Sequence, residues 1–168
     1  NRGHTVAVVD NYFRRNICKQ EGSLPLFPVG TMQERSQLWR ECRGYEIEVI
    51  QGDVTDYEFL SQTFQNVLPE AIVHYAEQPS APYSMLGYEQ ARFTLSNNLI
   101  GTLNVAYAAK EIDPDVHIVK LGTMGEYGTP NIDIEEGYLE INHKGRQDRL
   151  LFPRQASSLY HTTKIQDT

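Results

Sequence analysis

Four short stretches of the sequence are rich in apolar and β-branched residues, and helix-like sequence follows each of them. In chain order they are Thr5–Val9, Glu46–Ile50, Ala71–Tyr75 and Val116–Leu121. Apolar residues run almost continuously through three of them, as is typical of strands buried on both faces of a sheet. Glu46–Ile50 alternates instead and is expected nearer an edge. We therefore predict four parallel strands.

Helical periodicity marks the segments between these strands. The predicted helices are Glu34–Arg43, Asp56–Val67 and a longer helix within Tyr88–Lys110. Thr55 or Asp56 is expected to cap the second helix, because either side chain can accept a hydrogen bond from the first turn. Alternating strands and helices are typical of a doubly wound parallel sheet with right-handed crossovers, so the predicted fold class is α/β.

Two segments are longer than an ordinary connection of about 2–6 residues, namely 11–33 and 128–156. The second contains a possible hairpin, Leu139–Leu151, that turns at Lys144-Gly145. Long loops at strand ends often frame a ligand, and a tolerated surface insertion is the alternative.

Charge and cysteine content exclude some functions. The 168 residues hold 15 Lys and Arg against 22 Asp and Glu, which gives a net charge of −7. With no run of basic residues, this charge argues against a nucleic-acid-binding surface. Cys18 and Cys42 lack metal-ligand spacing and are expected to be buried or free thiols, so no metal site is predicted.

Acidic residues follow the first two predicted strands. Asp10 ends the first strand, where a carboxylate in a dinucleotide fold binds the adenosine ribose and disfavours a 2′-phosphate, so NAD is expected rather than NADP. A cap or loop Asp is the alternative. Arg14 and Arg15 could accept a 2′-phosphate, face a diphosphate or lie in solvent. Asp53, between Gly52 and Val54, suits an adenine contact or a simple turn.

The chain starts at Asn1, almost directly before the first predicted strand. If Thr5–Asp10 is the second strand of the fold, the first strand and its G-x-x-G-x-x-G loop would precede Asn1. We therefore expect residues 1–168 to form a truncated, Rossmann-like NAD-binding domain without that strand, its glycine-rich loop or a C-terminal substrate domain. Such a chain is expected to be inactive alone, because the backbone N–H groups that bind a pyrophosphate would be missing.

The most distinctive group of residues is Thr123, Tyr160 and Lys164. Tyr and Lys spaced i, i+4 lie on one face of a helix, and a nearby ammonium is expected to lower the pKa of Tyr160 towards that of a useful general base. The same lysine can bind the nicotinamide ribose. Thr123, just past the fourth strand, can orient a substrate alcohol.

Longer blocks of sequence resemble the extended short-chain dehydrogenase/reductase family, which includes the NAD-dependent epimerases and dehydratases of sugar nucleotides. The blocks are Val8–Asn11 with Arg14-Arg15, Ser80–Met85, Asn97–Val105, Val119–Gly137 and Gln155–Ser158. They span essentially the whole chain. Within the family, they are most similar to the branch that makes the sulfonated sugar nucleotide of sulfolipids.

This resemblance implies a tightly bound NAD, UDP-glucose as substrate and sulfite as nucleophile. It implies that Tyr160 removes the C4 hydroxyl proton during oxidation at C4, that loss of the C6 hydroxyl gives a 4-keto-5-ene, and that sulfite adds at C6 before the hydride returns. It further implies a homodimer for the full-length protein and a location in the cytoplasm, or in the chloroplast stroma of a plant.

The expected site residues divide by role. For catalysis they are Thr123, Tyr160, Lys164 and Glu126; for the cofactor, Asp10, Asn11, Arg14, Asp53, Val54, Tyr160 and Lys164; for the substrate, Thr123, Met124, Gln155 and His161. Glu126 could be an acid/base or a structural hydrogen-bond acceptor, and His161 could contact sulfite or substrate or only pack.

Two departures from related enzymes bear on the reaction. Sugar-nucleotide dehydratases usually have Asp-Glu directly after the catalytic Thr, where this chain has Met124-Gly125. The family also often has an arginine where this chain has Pro79. Pro79 leaves open another NAD-dependent UDP-sugar 4-epimerase or 4,6-dehydratase, and a non-catalytic NAD-holding domain is a third possibility.

Overall fold

The fold is described from a computed structural model that covers residues 3–134 and 137–168. The sequence block Val119–Gly137 includes Glu135 and Glu136, which lie outside the described residues. Among those described, no helix has both the length and the apolar character needed to cross a membrane.

Strands and helices alternate through the first two thirds of the chain, as the hydrophobic pattern predicts. The strands are β1 (Val6–Asp10), β2 (Ile47–Gln51), β3 (Ala71–His74), β4 (His117–Lys120), β5 (Tyr138–His143) and β6 (Arg146–Leu151). The α-helices are α1 (Phe13–Gln20), α2 (Met32–Arg43), α3 (Tyr57–Val67), α4 (Ala81–Ser84), α5 (Tyr88–Leu95), α6 (Gly101–Ile112) and α7 (Leu159–Asp167). A π-helical turn (Ser96–Ile100) joins α5 to α6, and a 3₁₀-helix covers Met124–Tyr127.

The chain divides into two compact units, and the first comprises the residues up to Ile72 together with Gly101–Ile118. In it, β1 pairs in parallel with β2, with Asp10 opposite Gln51, so the carboxyl ends of the two strands lie side by side. β3 and β4 pair in a separate two-stranded sheet.

The apolar core of the first unit lies between α3 and α6. Its buried side chains come from two helices and are Leu60, Phe64, Val105, Ala108 and Ala109. Asp56 caps α3 by accepting a hydrogen bond from the backbone N–H of Phe59. Gly101 lets α6 approach Val54 closely, because a Cβ there would lie 2.9 Å from a Val54 methyl carbon. The apolar periodicity of these helices therefore gives a packed interior, as expected.

The second unit comprises Val73–Ile100 and Val119–Thr168, and its interior is polar. Of its described residues, Phe152 is the one buried hydrophobic side chain. The buried polar or charged residues are His74, Gln78, Ser84, Thr94, Asn97, Asn98, Glu126, Thr163 and Lys164. Because burying a polar group without a partner costs free energy, such an interior must be closely hydrogen-bonded.

Asn98, in the π-helical turn, connects three parts of this interior. Its Oδ1 accepts hydrogen bonds from the Gln78 backbone N–H (2.9 Å) and the Asn97 side chain (3.0 Å). Its Nδ2 donates to the Gln78 carbonyl and to Thr163 Oγ1, each at 3.1 Å. The loop after β3 and helix α7 are thus both fixed by one amide, at a helical irregularity of the kind common at functional sites.

The hairpin expected within Leu139–Leu151 is confirmed. β5 and β6 are antiparallel, and His143 pairs with Arg146 across the turn. Lys144 (φ 52°) and Gly145 (φ 73°) both adopt the left-handed conformation that a two-residue hairpin turn needs.

Two expectations about the elements are wrong. The segment 11–33 is not one long loop, because it contains α1. This helix has no capping signal in the sequence, since its N-cap residue, Tyr12, has a left-handed φ of 56° and makes no side-chain capping hydrogen bond. The apolar strands are also not buried on both faces: Val73 is 60% exposed and Val119 40%. Both residues belong to the two-stranded sheet formed by β3 and β4.

Candidate active site

Three of the expected cofactor residues meet at the carboxyl ends of β1 and β2. The Asn11 side chain donates a hydrogen bond to Asp53 Oδ2 at 2.8 Å. Asp10 Oδ1 accepts the backbone N–H of Tyr12 at 2.7 Å, which orients the carboxylate at the strand end. The position expected for Asp10 is therefore confirmed, although the contact itself is the loop-capping contact that we weighed as its alternative.

Asp53 is held as a carboxylate by its neighbours. Its Oδ1 accepts hydrogen bonds from the backbone N–H (2.8 Å) and the hydroxyl (2.7 Å) of Thr55. Burial by itself would raise the pKa of Asp53, but the hydrogen bonds from Thr55 and Asn11 outweigh it and the pKa is lowered. The Asp53 side chain thus stabilises the turn between Asp53 and Thr55, and it stays negatively charged beside Asn11.

The other residues expected to bind the cofactor in the first unit differ in exposure and in hydrogen-bond partners. Arg14 is exposed. Arg15 donates to the carbonyl of Gly30 at 2.9 Å, so it fixes the loop before α2. Val54 is buried, and its carbonyl accepts from the Asn104 side chain at 2.9 Å.

Tyr160 and Lys164 lie one turn apart on α7, as their spacing predicts. Ser158 caps this helix by accepting the His161 backbone N–H at 3.1 Å. The buried Ser84 hydroxyl accepts the Tyr160 backbone N–H at 3.2 Å. Two backbone N–H groups in the first turn of α7 are therefore hydrogen-bonded to serine hydroxyls, which fixes the start of the helix that carries Tyr160.

The Lys164 ammonium sits in a buried cluster of charges. It pairs with Glu77 Oε2 at 2.6 Å and with Asp167 Oδ2 at 2.9 Å. Glu77 Oε1 forms an ion pair with Lys120, the last residue of β4, which lies 3.6 Å from Asp167. The cluster contains two lysines and two carboxylates, so its formal charges balance.

The carboxylates keep Lys164 protonated. Burial would lower the pKa of Lys164, but its hydrogen bonds to Glu77 and Asp167 outweigh burial and the pKa is raised. For Lys120 the balance is opposite, since burial lowers its pKa more than Glu77 raises it. Lys164 is therefore the firmly charged member of the pair.

The expectation of a lowered pKa for Tyr160 is wrong for the chain as described. Burial raises the pKa of Tyr160, and this effect exceeds the lowering by the Lys164 charge. Glu77 and Asp167 raise the pKa further. The Tyr/Lys motif places the two side chains correctly, but the carboxylates that hold the lysine offset part of its field at the phenol.

His161 fills the space beside Gly125. Thr123, which follows β4 as expected, caps the 3₁₀-helix by accepting the Gly125 backbone N–H at 3.3 Å. A Cβ at Gly125 would overlap Nε2 of the His161 ring. The ring is held by Ser157, whose hydroxyl lies 2.9 Å from Nδ1, and its centroid is 5.3 Å from that of Tyr160. The imidazole therefore occupies the space that a side chain at position 125 would need.

The remaining expected residues have differing surroundings. Glu126 is buried, and its Oε2 accepts from the hydroxyl of Thr168 at 3.3 Å, a contact at the far end of α7 that suits a structural acceptor. Met124 is 89% exposed. The backbone carbonyl of Gln155 lies against Gly128, whose φ of 67° and lack of a Cβ permit the approach.

Sequence reasoning missed Glu77, Lys120, Asp167 and His74. Lys120 carried a usable signal, because it is a charged residue at the end of an apolar strand. His74 is 4% exposed, and its Nε2 has no hydrogen-bond partner among the described residues. Burial and the Lys120 charge lower the pKa of His74 to about 4, so its imidazole is neutral at neutral pH.

Comparison with known proteins identifies the family. The family model "NAD dependent epimerase/dehydratase family" matches residues 1–164. The chain belongs to this family. Membership confirms the expected family and an NAD-dependent type of enzyme.

The curated relatives are longer than this chain. The chain is 48% identical over 167 residues to the chloroplastic UDP-sulfoquinovose synthase of Spinacia oleracea, and the match covers 99% of this chain and 35% of the relative. It is 45% identical over 168 residues to the UDP-sulfoquinovose synthase of Sulfolobus acidocaldarius, covering 99% and 43% respectively. The chain thus spans less than half the length of these relatives.

A solved structure gives the fold. The UDP-glucose 4-epimerase of Bifidobacterium longum, in complex with NAD⁺ and UDP, matches with a TM-score of 0.67 at 20% identity, over 99% of this chain and 40% of that chain. The expected Rossmann-like α/β fold is therefore confirmed.

We predict that His74 makes stability depend on pH. Its pKa is about 4 in the folded chain and about 6.5 when unfolded, so the unfolded state binds more protons between these values. The free energy of unfolding should therefore fall as pH drops, by on the order of 2 kcal/mol between pH 6.5 and 5 from this group. Chemical denaturation of His74→Asn should show a correspondingly smaller dependence, and an unchanged slope would contradict the prediction.

We predict that Gly125→Ala destabilises the protein by about 1–3 kcal/mol, because the added methyl displaces the His161 ring. Gly122→Ala is the matched control, since a Cβ there meets nothing within 4 Å. Denaturation curves should also show Gly125→Ala recovering most of its loss in a His161→Ala background. Equal stability of Gly125→Ala and Gly122→Ala would show that the His161 ring does not occupy the space beside Gly125.

Proposed function

We propose that this chain is part of a UDP-sulfoquinovose synthase, an NAD-dependent enzyme that converts UDP-glucose and sulfite into UDP-sulfoquinovose and water through a 4-keto-5-ene. The observation that carries the proposal is the identity of 48% and 45% to two such synthases, from a plant and an archaeon, across 99% of the chain. Residues 1–168 would form part of the NAD-binding domain.

The residues present fit the cofactor. Asp10, Asn11 and Asp53 offer carboxylate and amide groups at neighbouring strand ends, suited to ribose hydroxyls and adenine. Lys164 has three N–H donors, and its two carboxylate partners leave one for a ribose hydroxyl. A bound NAD would supply reversible hydride transfer at the sugar C4.

The side chains of the second unit supply the proton chemistry. Tyr160 takes the C4 hydroxyl proton as C4 becomes a ketone, and Thr123 hydrogen-bonds the same oxygen. The ketone acidifies C5–H, so loss of that proton and of the C6 hydroxyl releases water and leaves the 5-ene. Sulfite adds at C6, a proton returns to C5, and Tyr160 returns its proton to the C4 oxygen.

The absence of a carboxylate at Gly125 favours this reaction over that of an ordinary dehydratase. The space beside Gly125 is filled by His161, which we propose contacts the sugar C6 region or the incoming sulfite. Pro79, where an arginine is common in the family, is exposed and follows the buried Gln78.

The whole protein would act in the cytoplasm, or in the chloroplast stroma if the source is a plant; the spinach relative is named chloroplastic. We also propose that it is a homodimer, because related enzymes of this family commonly pair through the helix that corresponds to α7.

Incubation of the whole protein with UDP-glucose, sulfite and NAD should give a sulfonated sugar nucleotide, detected by mass spectrometry. Tyr160→Phe should reduce the rate by about 10²–10⁴-fold through loss of the general base. Tyr138→Phe, in the exposed first strand of the hairpin, is the matched control and should keep full activity. A 4-epimer or a 4-keto-6-deoxy sugar in place of the sulfonated product would overturn the proposal.

A further inference from the structure

The Glu77 carboxylate lies at the centre of the buried charge cluster, outside the Thr123, Tyr160 and Lys164 motif. One oxygen pairs with Lys120 and the other with Lys164 at 2.6 Å. Its side chain is 5% exposed, against 0% for Lys164 and 14% for Lys120. A single carboxylate thus bridges two buried ammonium groups from different elements.

Because both ammonium groups are largely buried, their charges depend on the Glu77 carboxylate. An ammonium removed from water loses its hydration, and without a paired carboxylate it releases its proton or moves to solvent. Lys164 is completely buried and still needs its charge to act on the phenol one turn away. Its position and its charge therefore depend on the carboxylates around it.

Glu77 and Asp167 act differently on Lys164. Asp167 is three residues further along α7, so its pair with Lys164 lies within one helix. Its ion pair with Lys120 does leave the helix but is longer, at 3.6 Å, than either contact of Glu77. Glu77 is 87 residues earlier in the chain, in the loop after β3. Its pair with Lys164 is therefore the tertiary one, and Lys120 extends it to the end of β4.

The loop that carries Glu77 is itself fixed. The next residue, Gln78, exchanges two backbone hydrogen bonds with the side chain of Asn98, which also donates to Thr163. Thr163 directly precedes Lys164. The Glu77 loop and α7 are thus joined both through an amide and through an ion pair, which limits how far either can shift.

We propose that Glu77 is a positioning residue of the active site, whose carboxylate bridges Lys120 and Lys164 and holds the Lys164 ammonium in place for Tyr160 and the cofactor. This role rests on the proposed function, in which Lys164 contacts the nicotinamide ribose. Glu77 acts through Lys164 and does not touch substrate.

A double-mutant cycle between Glu77 and Lys164 tests the role in the whole protein. Glu77→Gln should lower kcat by about 10-fold or more, since hydrogen bonds to charged groups contribute at about this level. In a Lys164→Ala background the same change should have no further effect on kcat. Glu89→Gln, which removes an exposed carboxylate paired with Arg92, is the matched control and should leave kcat unchanged.

NAD affinity supplies a readout that does not require turnover. Titration with NAD should show weaker binding for Glu77→Gln and, again, no added loss once Lys164 is alanine. A protein that makes no sulfonated product but shows this coupling in NAD binding would refute the proposed function and leave the role of Glu77 standing. Additive effects of the two substitutions, in kcat and in NAD affinity, would overturn the role of Glu77.

A second variant guards against misfolding. Glu77→Gln leaves two buried lysines with one carboxylate, whereas Glu77→Gln combined with Lys120→Gln keeps the cluster neutral and still removes the bridge. This neutral variant should fold and have the low kcat of the single change, and Glu77→Asp should restore part of it. Full kcat and full NAD affinity in the neutral variant would show that the bridge serves only folding.

Discussion

The second unit depends on keeping an ammonium charged in an interior that excludes water. Lys164 meets this constraint through Glu77 and Asp167, and Lys120 balances the remaining negative charge. A buried cluster of this kind adds little net stability, because the desolvation of four charged groups offsets their attraction. Its value lies in specificity, since few arrangements of the chain satisfy all four groups at once.

The same cluster sets the acid–base properties of its neighbours. Burial raises the pKa of Tyr160, and the charges of Glu77 and Asp167 raise it too. The charge of Lys164 lowers this pKa, but by less than the others raise it. His74 responds to burial and to Lys120 by remaining neutral. The site thus holds its proton-transfer groups in defined states through one shared set of charges, rather than through the isolated Tyr/Lys pair.

The sequence predicts the elements well where local chemistry decides them. The four strands, the cap at Asp56 and the hairpin turn at Lys144-Gly145 follow from apolar runs, a capping carboxylate and a glycine. Helix α1 was not predictable, because Tyr12 gives no capping signal. The spacing of Thr123, Tyr160 and Lys164 makes them candidates, but it gives no sign of Glu77, whose contact with Lys164 spans 87 residues of the chain.

The central claim is that Glu77 holds Lys164, and a crystal structure of the whole protein with NAD bound tests it most directly. The account predicts one Glu77 oxygen within hydrogen-bond distance of Lys164 Nζ, the other beside Lys120, and the Lys164 ammonium facing the ribose of the cofactor. A Glu77 carboxylate turned towards solvent, with Lys164 ordered against NAD without it, would contradict the account.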